Sequence, residues 1–432
     1  MPPCERTSGL SSPSSARDLS STRSPRHRNW ASRVYSQRFT RLRHAFCRLR
    51  GSLTNGSLTN EDLITSGGRA TARARANAAS RLAAVVASIA LAAALAGCSG
   101  QTMQEQATTG FLSKYVQPDG RVVRLDQGRD TVSEGQAYGM LLAEALGQDS
   151  VFDQIWKWTY DHLELSDGLF AFHTNPAGRI ISPEPASDAD VLIAWALLRY
   201  RGPDAAAYHL DGHVVADSIL AHEVVSGPGG TLVLTAGPWA TGPAATLDPS
   251  YWSLPAFAGL ARLTGNSQWN RLSAGAVSLT RTLTHDGRLL PPDWAVLSAD
   301  GTDAVVRPEP APNGDAPYVQ YGPDAERTVV WFAKSCDPQA RALAARWWLL
   351  LRAHHRARAF ALSLHGAVLN PVKGPLPLVA SASAAKAAGD NSAAQHLLQL
   401  AAEQQQGYPT YYGGAWAALG YTLLDTRSLG AC

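Results

Sequence analysis

The sequence predicts an all-α domain that follows a non-globular N-terminal region. Three observations support this fold class. Apolar residues recur with helical periodicity over most of the chain, the alternation typical of strands is scarce, and no internal repeat indicates a solenoid. The clearest strand pattern is "GTLVLTAG", near 230–237. Because short connections join the predicted helices, consecutive helices can pair as hairpins arranged in a ring.

Eleven segments have the periodicity and length of helices. They are 133–147, 150–164, 188–200, 211–224, 252–264, 267–284, 323–334, 338–356, 378–388, 392–403 and 413–425. Several begin with recognisable signals. Ser133, Ser187 and Ser267 are candidate N-caps, and Asp337 is followed by Pro338 at the first helical position.

The composition describes a chain with a large core and an uneven charge. The 432 residues are 45% hydrophobic, enough for one large core or two ordinary ones. The net charge of +3 arises mainly from a region rich in Arg, Ser and Thr that ends near residue 82, whereas acids and bases balance from about residue 106. We therefore do not expect a nucleic-acid partner.

The segment "RLAAVVASIALAAALAGCSG" is typical of an export signal. A charged residue, Arg81, precedes an Ala-rich apolar run and small residues, so residues 76–98 are expected to be a signal peptide. Leu-Ala-Gly-Cys resembles the lipobox of bacterial lipoproteins, which implies lipidation of Cys98. We expect a membrane-anchored protein of the cell envelope, on its periplasmic or extracellular face. A secreted protein and a single N-terminal membrane anchor are the alternatives.

The regions on either side of this signal are expected to lack a core. Residues 1–75 are a disordered extension or follow a mis-assigned start codon, and residues 99–109 are a polar tether. Residues 110–428 are the expected catalytic domain. The cysteines after the signal, Cys336 and Cys432, can form one disulfide, and their spacing is not that of a zinc site. A monomer is expected.

Three segments place carboxylates where a helix is predicted to begin. The first, "DTVSEGQAYGM", has Glu134 in the first turn, where the helix dipole favours an acid for purely structural reasons. Two glycines lie in the same helix, although each costs about 1 kcal/mol relative to Ala. They suggest that another group approaches the backbone closely beside Gln136 and Tyr138, which we take as candidate substrate contacts.

The second and third segments are "PASDADVLIAWALLRY" and "YGPDAERTVVWF". Asp188 and Asp190 lie on different sides of a helix start, and either can be a capping acid. Asp324 follows a proline, and Arg327 is placed to form a local ion pair with it. No one of these segments is decisive alone.

Together the three segments resemble glycoside hydrolase family 8. The signature around the second is specific and is matched by Ala186, Ser187, Asp188, Ala189, Asp190, Ile193, Ala194, Ala196 and Leu197. Further similarity lies in "FDQIWKWTYDHL", "PSYWSLPAFAGLARLTG" and "YYGGAWAALGYTLLD", so the resemblance covers roughly 110–426. It implies an (α/α)6 barrel of six inner and six outer helices. It also implies hydrolysis of β-1,4 linkages with inversion, without a metal or an organic cofactor.

The resemblance also assigns roles by motif position. Glu134 matches the general acid, and Asp324 matches the general base that activates water. Asp188 matches the acid that bonds the distorted sugar, and Arg327 matches an arginine that orients the base. Asp190 is expected to be structural.

Two positions depart from the family pattern. Pro323 stands where a tyrosine usually precedes the base, and Phe172 stands where many cellulases have a sugar-stacking tryptophan. Other aromatic side chains expected at the cleft are Tyr251, Tyr411 and Tyr412. These departures affect the expected substrate preference more than the expected reaction.

The sequence therefore predicts an exported endo-β-1,4-glucanase, a cellulase-like glycosidase that acts on a β-linked polysaccharide. A chitosanase, lichenase or xylanase of the same family is one alternative. A non-catalytic glycan-binding lipoprotein is the other, although a binding module has no need for both an acid and a base.

Overall fold

The computed structural model describes residues 101–300, 303–312, 314 and 317–429. All of them belong to the second of the two compact units into which the chain divides, Cys98–Cys432. The predicted extension 1–75, the predicted signal 76–98 and its Cys98 lie outside the described residues.

Twelve α-helices are present in the described part of the chain, so the all-α prediction is confirmed. In chain order, α1 to α12 are Met103–Tyr115, Ser133–Ala145, Asp149–Leu163, Ser187–Arg199, Ala205–His222, Leu254–Thr264, Gln268–Leu283, Pro323–Lys334, Pro338–Leu351, Pro375–Ala387, Asn391–Gly407 and Tyr411–Asp425.

The helices form two concentric rings. The even-numbered helices are the inner ring: each packs against the next, and α12 closes on α2. Each odd-numbered helix packs outside, against a neighbouring inner helix. Every residue of α4 from Ser187 to Leu198 is buried, which explains why its sequence has no polar face. This is the (α/α)6 barrel that the family resemblance implies.

Short antiparallel strands occupy connections that lead from an outer helix to the next inner helix. Four small sheets are formed, with strand orders β1-β2-β3, β4-β5, β6-β7-β8 and β10-β9. The strands β1 to β10 are Thr131–Val132, Ala171–Thr174, Ile180–Pro185, Val224–Ser226, Leu232–Leu234, Ala244–Leu247, Trp294–Asp300, Asp303–Glu309, Ala359–Leu362 and Val368–Lys373. They therefore surround the end of the barrel at which the inner helices begin, which we call its open end.

The structure has a helix, α1, where the sequence predicted a polar tether over 99–109, so that prediction was wrong. The helix begins at Met103, after a capping box in which Thr102 and Glu105 bond each other's backbone N–H groups. Its buried side, which includes Phe111 and Tyr115, packs against α12. The prediction failed because the exposed residues of this helix are polar, and the buried ones are too few to give a clear periodicity.

The predicted helix caps are partly confirmed. Asp337 caps α9 by accepting hydrogen bonds from the N–H groups of Gln339 and Ala340. Ser187 is not the cap of α4, because the helix begins at Ser187 itself and the hydroxyl bonds the Thr235 carbonyl oxygen. Helix α2 likewise begins at Ser133 without a side-chain cap.

Two further features concern the chain as a whole. Within the described residues, every helix is too short or too polar to cross a lipid bilayer. Cys336 is disulfide-bonded, and the other cysteines of the sequence lie outside the described residues.

Candidate active site

A single buried arginine joins the three carboxylates that the sequence singles out. Arg327, on α8, is 2% exposed. Its Nη1 donates to Glu134 Oε1 at 2.7 Å and to Asp188 Oδ2 at 2.8 Å, and its Nη2 donates to Asp324 Oδ1 at 2.9 Å. The beginnings of α2, α4 and α8 therefore converge on one guanidinium at the open end of the barrel.

The carboxylates around Arg327 differ in their access to solvent. The side chains of Glu134 and Asp324 are 18% and 32% exposed, whereas that of Asp188 is 5% exposed. Glu134 and Asp324 can therefore reach a molecule in the cleft, and they are held on different nitrogens of the guanidinium. Asp188 lies deeper.

A fourth carboxylate, Asp248, was not predicted from the sequence. Its side chain is fully buried, and its Oδ2 lies 3.5 Å from Arg327 Nη2. Its Oδ1 accepts a hydrogen bond from the Ser250 N–H and so caps the short 3-10 helix Pro249–Tyr251. The sequence signal was present, since an Asp-Pro-Ser run is typical of such a turn, but it does not indicate contact with Arg327.

The start of α8, which carries Asp324, is held by a residue from another part of the chain. The N-cap of this helix is Gly322, which has no side chain to cap it. Instead, Asp293 Oδ1 accepts hydrogen bonds from the N–H groups of Gly322 and Ala325, both at 2.8 Å. Pro323, the departure from the family pattern, occupies the first helical position, where its fixed φ suits a helix and no N–H is needed.

Burial raises the pKa of the most deeply buried carboxyl groups of the cluster. It raises the pKa of Asp188 well above its usual value, and the charge of Glu134 adds to this, while Arg327 opposes it. Burial also raises the pKa of Asp248, with a further contribution from Asp324. One cation faces four carboxyl groups, and burial favours the protonated form of Asp188 and Asp248.

The pKa of Asp324 is raised less strongly because several contacts oppose its desolvation. Burial raises it, Arg327 lowers it, Glu134 raises it, and a hydrogen bond from the Trp294 side chain lowers it again. Trp294 and Arg327 thus favour the ionised form that a base needs.

Three of the predicted aromatic contacts lie around this cluster. The Tyr251 ring covers Arg327, with 5.3 Å between the guanidinium carbon and the ring centroid. Tyr138 is buried and donates to Glu134 Oε1 at 3.3 Å, which orients this carboxyl group. Tyr412 is partly exposed, and burial together with the charges of Glu134 and Asp324 raises its pKa. Of these three, the partly exposed Tyr251 and Tyr412 can contact a sugar.

Two predicted substrate contacts are instead part of the protein core. Gln136 is fully buried, and its amide bonds the Val122 N–H at 2.6 Å and the Thr159 hydroxyl at 2.9 Å. Tyr411 is 2% exposed and packs against Phe111 and Tyr115. Neither is available to a glycan. Both were predicted from a local pattern that does not show which side of the helix faces the cleft.

The two glycines of α2 have a structural explanation. A Cβ at Gly135 would lie 2.4 Å from the Tyr411 hydroxyl, and one at Gly139 would lie 3.0 Å from side-chain carbons of Ile155 and Val122. The sequence correctly indicated a close approach to this backbone. The approaching groups belong to the protein.

Phe172 lies on β2 and is partly exposed beside the start of α4. The neighbouring backbone is fixed by Asp190, whose Oδ1 accepts a hydrogen bond from the Phe170 N–H at 3.0 Å. Asp190 is fully buried, so its predicted structural role is confirmed. In the described part of the chain, no three His, Cys, Asp or Glu side chains are arranged to hold a metal ion.

Comparison with known proteins agrees with the family resemblance. The family "Glycosyl hydrolases family 8" matches residues 80–419. An endoglucanase of Cellulomonas uda is 32% identical over 203 residues, which are 44% of this chain and 55% of that protein. A probable endoglucanase of Novacetimonas hansenii is 30% identical over 55% of this chain and 70% of that protein. The match thus spans little more than half of the first relative.

Solved structures extend the likeness to the whole barrel. The family 8 endoglucanase Cel10 of Klebsiella pneumoniae superposes with a TM-score of 0.60 at 28% identity, over 73% of this chain and 97% of that one. A β-1,3-1,4-glucanase of Paenibacillus sp. X4 has a TM-score of 0.66 over 76% of this chain and 93% of that one, but at 19% identity it shows the fold alone. This chain belongs to glycosyl hydrolase family 8.

Proposed function

We propose that this protein is an inverting endo-β-1,4-glucanase in which Glu134 is the general acid and Asp324 is the general base. The observation that carries the proposal is the placement of these two partly exposed carboxyl groups on different nitrogens of one buried guanidinium, Arg327. The names of the relatives, endoglucanases of Cellulomonas uda and Novacetimonas hansenii, support the substrate class.

The proposed chemistry is a single displacement at the anomeric carbon. Glu134 gives its proton to the glycosidic oxygen as the bond from that oxygen to the anomeric carbon breaks. Asp324 accepts a proton from a water molecule whose oxygen forms the new bond on the opposite face of the ring. An inverting site needs roughly 6.5–9.5 Å between its carboxyl groups so that this water fits. The width of the guanidinium keeps Glu134 and Asp324 apart on the protein side.

The other residues of the cluster support these two. Asp188 is proposed to bond a hydroxyl group of the distorted sugar at the cleavage point, since its Oδ2 faces the same Arg327 nitrogen as Glu134. Tyr138 orients Glu134, and Tyr251 and Tyr412 are proposed to contact the sugar rings.

A xylan-type substrate is a second candidate. A reducing-end xylose-releasing exo-oligoxylanase of Paenibacillus barcinonensis is 30% identical to this chain over 217 residues, which are 54% of that protein. The partly exposed Phe172 offers a smaller ring face than a tryptophan would, which leaves the preference among β-glycans open to measurement.

The purified full chain should be assayed on carboxymethylcellulose, lichenan, xylan and chitosan, beside Glu134→Gln and Asp324→Asn. We expect highest activity on carboxymethylcellulose, and a loss of about 10²–10⁴-fold in each variant because each loses a proton-transfer group. Asp217→Asn, an exposed change on the outer helix α5, is the matched control and should retain full activity.

The stereochemistry provides a separate test. NMR of the first products should show the α-anomer at the new reducing end. Release of the β-anomer would refute inversion, and activity that survives both substitutions would refute the assigned roles. If the wild type is as inert as the variants on all four polymers, the protein is a glycan-binding lipoprotein instead.

We also propose that the protein is exported and anchored by a lipid on Cys98. The support is the apolar run followed by Leu-Ala-Gly-Cys in the sequence. In 0.5 M salt, which weakens any charge-based membrane contact of the catalytic domain, Cys98→Ala should move the protein from the membrane fraction to the soluble envelope fraction. Unchanged membrane retention would contradict the lipid anchor and favour an uncleaved N-terminal span.

A further inference from the structure

One stretch of the catalytic domain carries many cations and no anions. Between residues 338 and 374 the sequence has no Asp or Glu, but it has six basic residues: Arg341, Arg346, Arg352, Arg356, Arg358 and Lys373. A charge run of this kind is often only a solvated surface, so its meaning depends on where the fold places it.

The fold gathers the second half of this stretch into one exposed region. The loop after α9 meets the β9–β10 hairpin, because the Arg356 guanidinium lies against Gly366 in the turn of the hairpin. Segment 285–290 joins them through a hydrogen bond from the Leu290 N–H to the Leu364 carbonyl oxygen, at 2.8 Å. This brings Arg288 to the same region.

The cations in this region are not neutralised by neighbouring carboxylates. Asp286 is the only acidic residue in segments 285–290 and 352–373, and it is paired with Arg281. Among the described residues, no carboxylate lies within ion-pair distance of Arg288, Arg352, Arg358 or Lys373.

The hairpin between these cations exposes large apolar side chains. Phe360 is 39% exposed, Val368 38%, Leu369 41% and Val372 60%. Sugars stack on aromatic ring faces, so a glycan gives no reason to expose Val368, Leu369 and Val372. Exposed apolar side chains on the same segments as Arg and Lys are instead typical of proteins that lie on the surface of a bilayer.

We propose that this surface docks the catalytic domain onto an anionic phospholipid bilayer. The docking surface consists of Arg288, Arg352, Arg358 and Lys373 together with the exposed Phe360, Val368, Leu369 and Val372 of the β9–β10 hairpin. The cations are attracted to lipid phosphates, and the hairpin side chains enter the boundary between headgroups and acyl chains. The hairpin leads into inner helix α10, so docking holds the open end of the barrel close to the lipid surface.

The test reads the environment of the hairpin itself, which separates it from any anchoring by the N-terminal segment. In the full chain, with Cys4, Cys47 and Cys98 replaced by serine, Val372→Cys is labelled with a polarity-sensitive dye. Vesicles of phosphatidylglycerol and phosphatidylethanolamine should shift its emission to the blue, and vesicles of phosphatidylcholine should not. The control label, at Leu210→Cys on the outer helix α5, should not shift with either lipid.

Charge variants decide whether the cations cause the binding. Each basic residue near an anionic surface contributes about fivefold to the partition coefficient. Arg352→Gln with Arg358→Gln should therefore weaken the shift on vesicle titration by about 25-fold, and 0.5 M salt should act in the same direction. Arg352→Lys with Arg358→Lys keeps the charge and should bind as the wild type does.

Three outcomes would overturn the proposal. They are an unshifted label at 372 on anionic vesicles, an equal shift on phosphatidylcholine, and full binding by the double glutamine variant. A shift produced without vesicles by a soluble anionic polysaccharide would assign the surface to a glycan instead. The proposed catalytic activity is assayed on soluble carboxymethylcellulose, so its success or failure is independent of this result.

Discussion

Helices α2 and α4 carry ionisable side chains at both ends, and the two ends are built differently. At their beginnings, Glu134 and Asp188 share Arg327 with Asp324 and the buried Asp248. At their far ends, Glu144 pairs with Arg199, 2.5 Å apart, and Arg199 also covers the Trp195 ring. The first end has four carboxyl groups for one cation, whereas at the second end Arg199, Arg201 and Arg262 accompany Glu144.

This difference separates a cluster of several carboxyl groups, which can both donate and accept protons, from a single ion pair that links two helices. At the first end, burial raises the pKa values of Asp188, Asp248 and Asp324. The pair at the second end is partly buried, and the main consequence of breaking it is a lower free energy of unfolding.

Loss of Arg327 is expected to have the largest effect. Arg327→Met removes the cation that positions Glu134 and Asp324, so kcat on carboxymethylcellulose should fall at least about 100-fold. The buried Asp188 and Asp248 lose their counter-charge, and urea denaturation should show a loss of about 3–5 kcal/mol in the free energy of unfolding. A variant with wild-type kcat would contradict the role assigned to this residue.

Loss of Arg199 should affect stability alone. Arg199→Met leaves Glu144 without its partner, so the free energy of unfolding should also fall by about 3–5 kcal/mol. The kcat measured well below the unfolding temperature should remain within about twofold of the wild type, because the pair lies at the opposite end of α2 and α4. An equal loss of kcat in the two methionine variants would erase the distinction between the two ends.

The pH dependence of stability should show the protonation of Glu144. Burial raises the pKa of Glu144 to about 7, against opposition from Arg199 and Arg201. Between its ordinary value of 4.5 and about 7, the folded state binds more protons at this group than the unfolded state does. Its contribution to stability therefore falls as the pH rises through this window.

Glu144→Gln removes that contribution. The free energy of unfolding of the variant minus that of the wild type should rise by roughly 3 kcal/mol from pH 4.5 to pH 8. Urea titrations at both pH values measure it, and subtraction cancels the other titrating groups. If the difference in free energy of unfolding between variant and wild type does not change with pH, the folded state does not raise the pKa of this group.

Substitution of Asp248 should have the smallest effect. Asp248→Ala removes the cap of the turn that carries Tyr251, and should cost about 1 kcal/mol in the free energy of unfolding. Asp248→Asn keeps an oxygen that can accept from the Ser250 N–H, so we expect less than half of that loss. Equal losses in the two variants would assign the effect to the charge beside Arg327 instead of the cap.

Much of the site was predictable because its residues lie in short specific patterns. Glu134, Asp188, Asp324 and Arg327 stand at helix starts whose signals are local, and the structure brings all four together. Asp293 was not predicted, because its role is to cap a helix that begins 30 residues further along the chain. No local pattern contains that contact.

The wrong predictions have a related cause. Gln136 and Tyr411 lie next to residues of the site, but their side chains turn into the core. Adjacent residues of a helix point in directions about 100° apart, so proximity in sequence does not imply a common surface. The prediction of a tether at the polar start of α1 was wrong for the same reason, since only packing against α12 reveals the buried side of this helix.

The sequence by itself determined eleven of the twelve described helices and the family signature, because these depend on residues within a few turns of one another. Only the tertiary structure decided which carboxyl groups are exposed, and that all four share Arg327. Burial and pairing are set by contacts between residues as far apart as Glu134 and Arg327, which are 193 positions apart. The protonation of each carboxyl group depends on those distant neighbours, so it follows from the fold and not from any single segment.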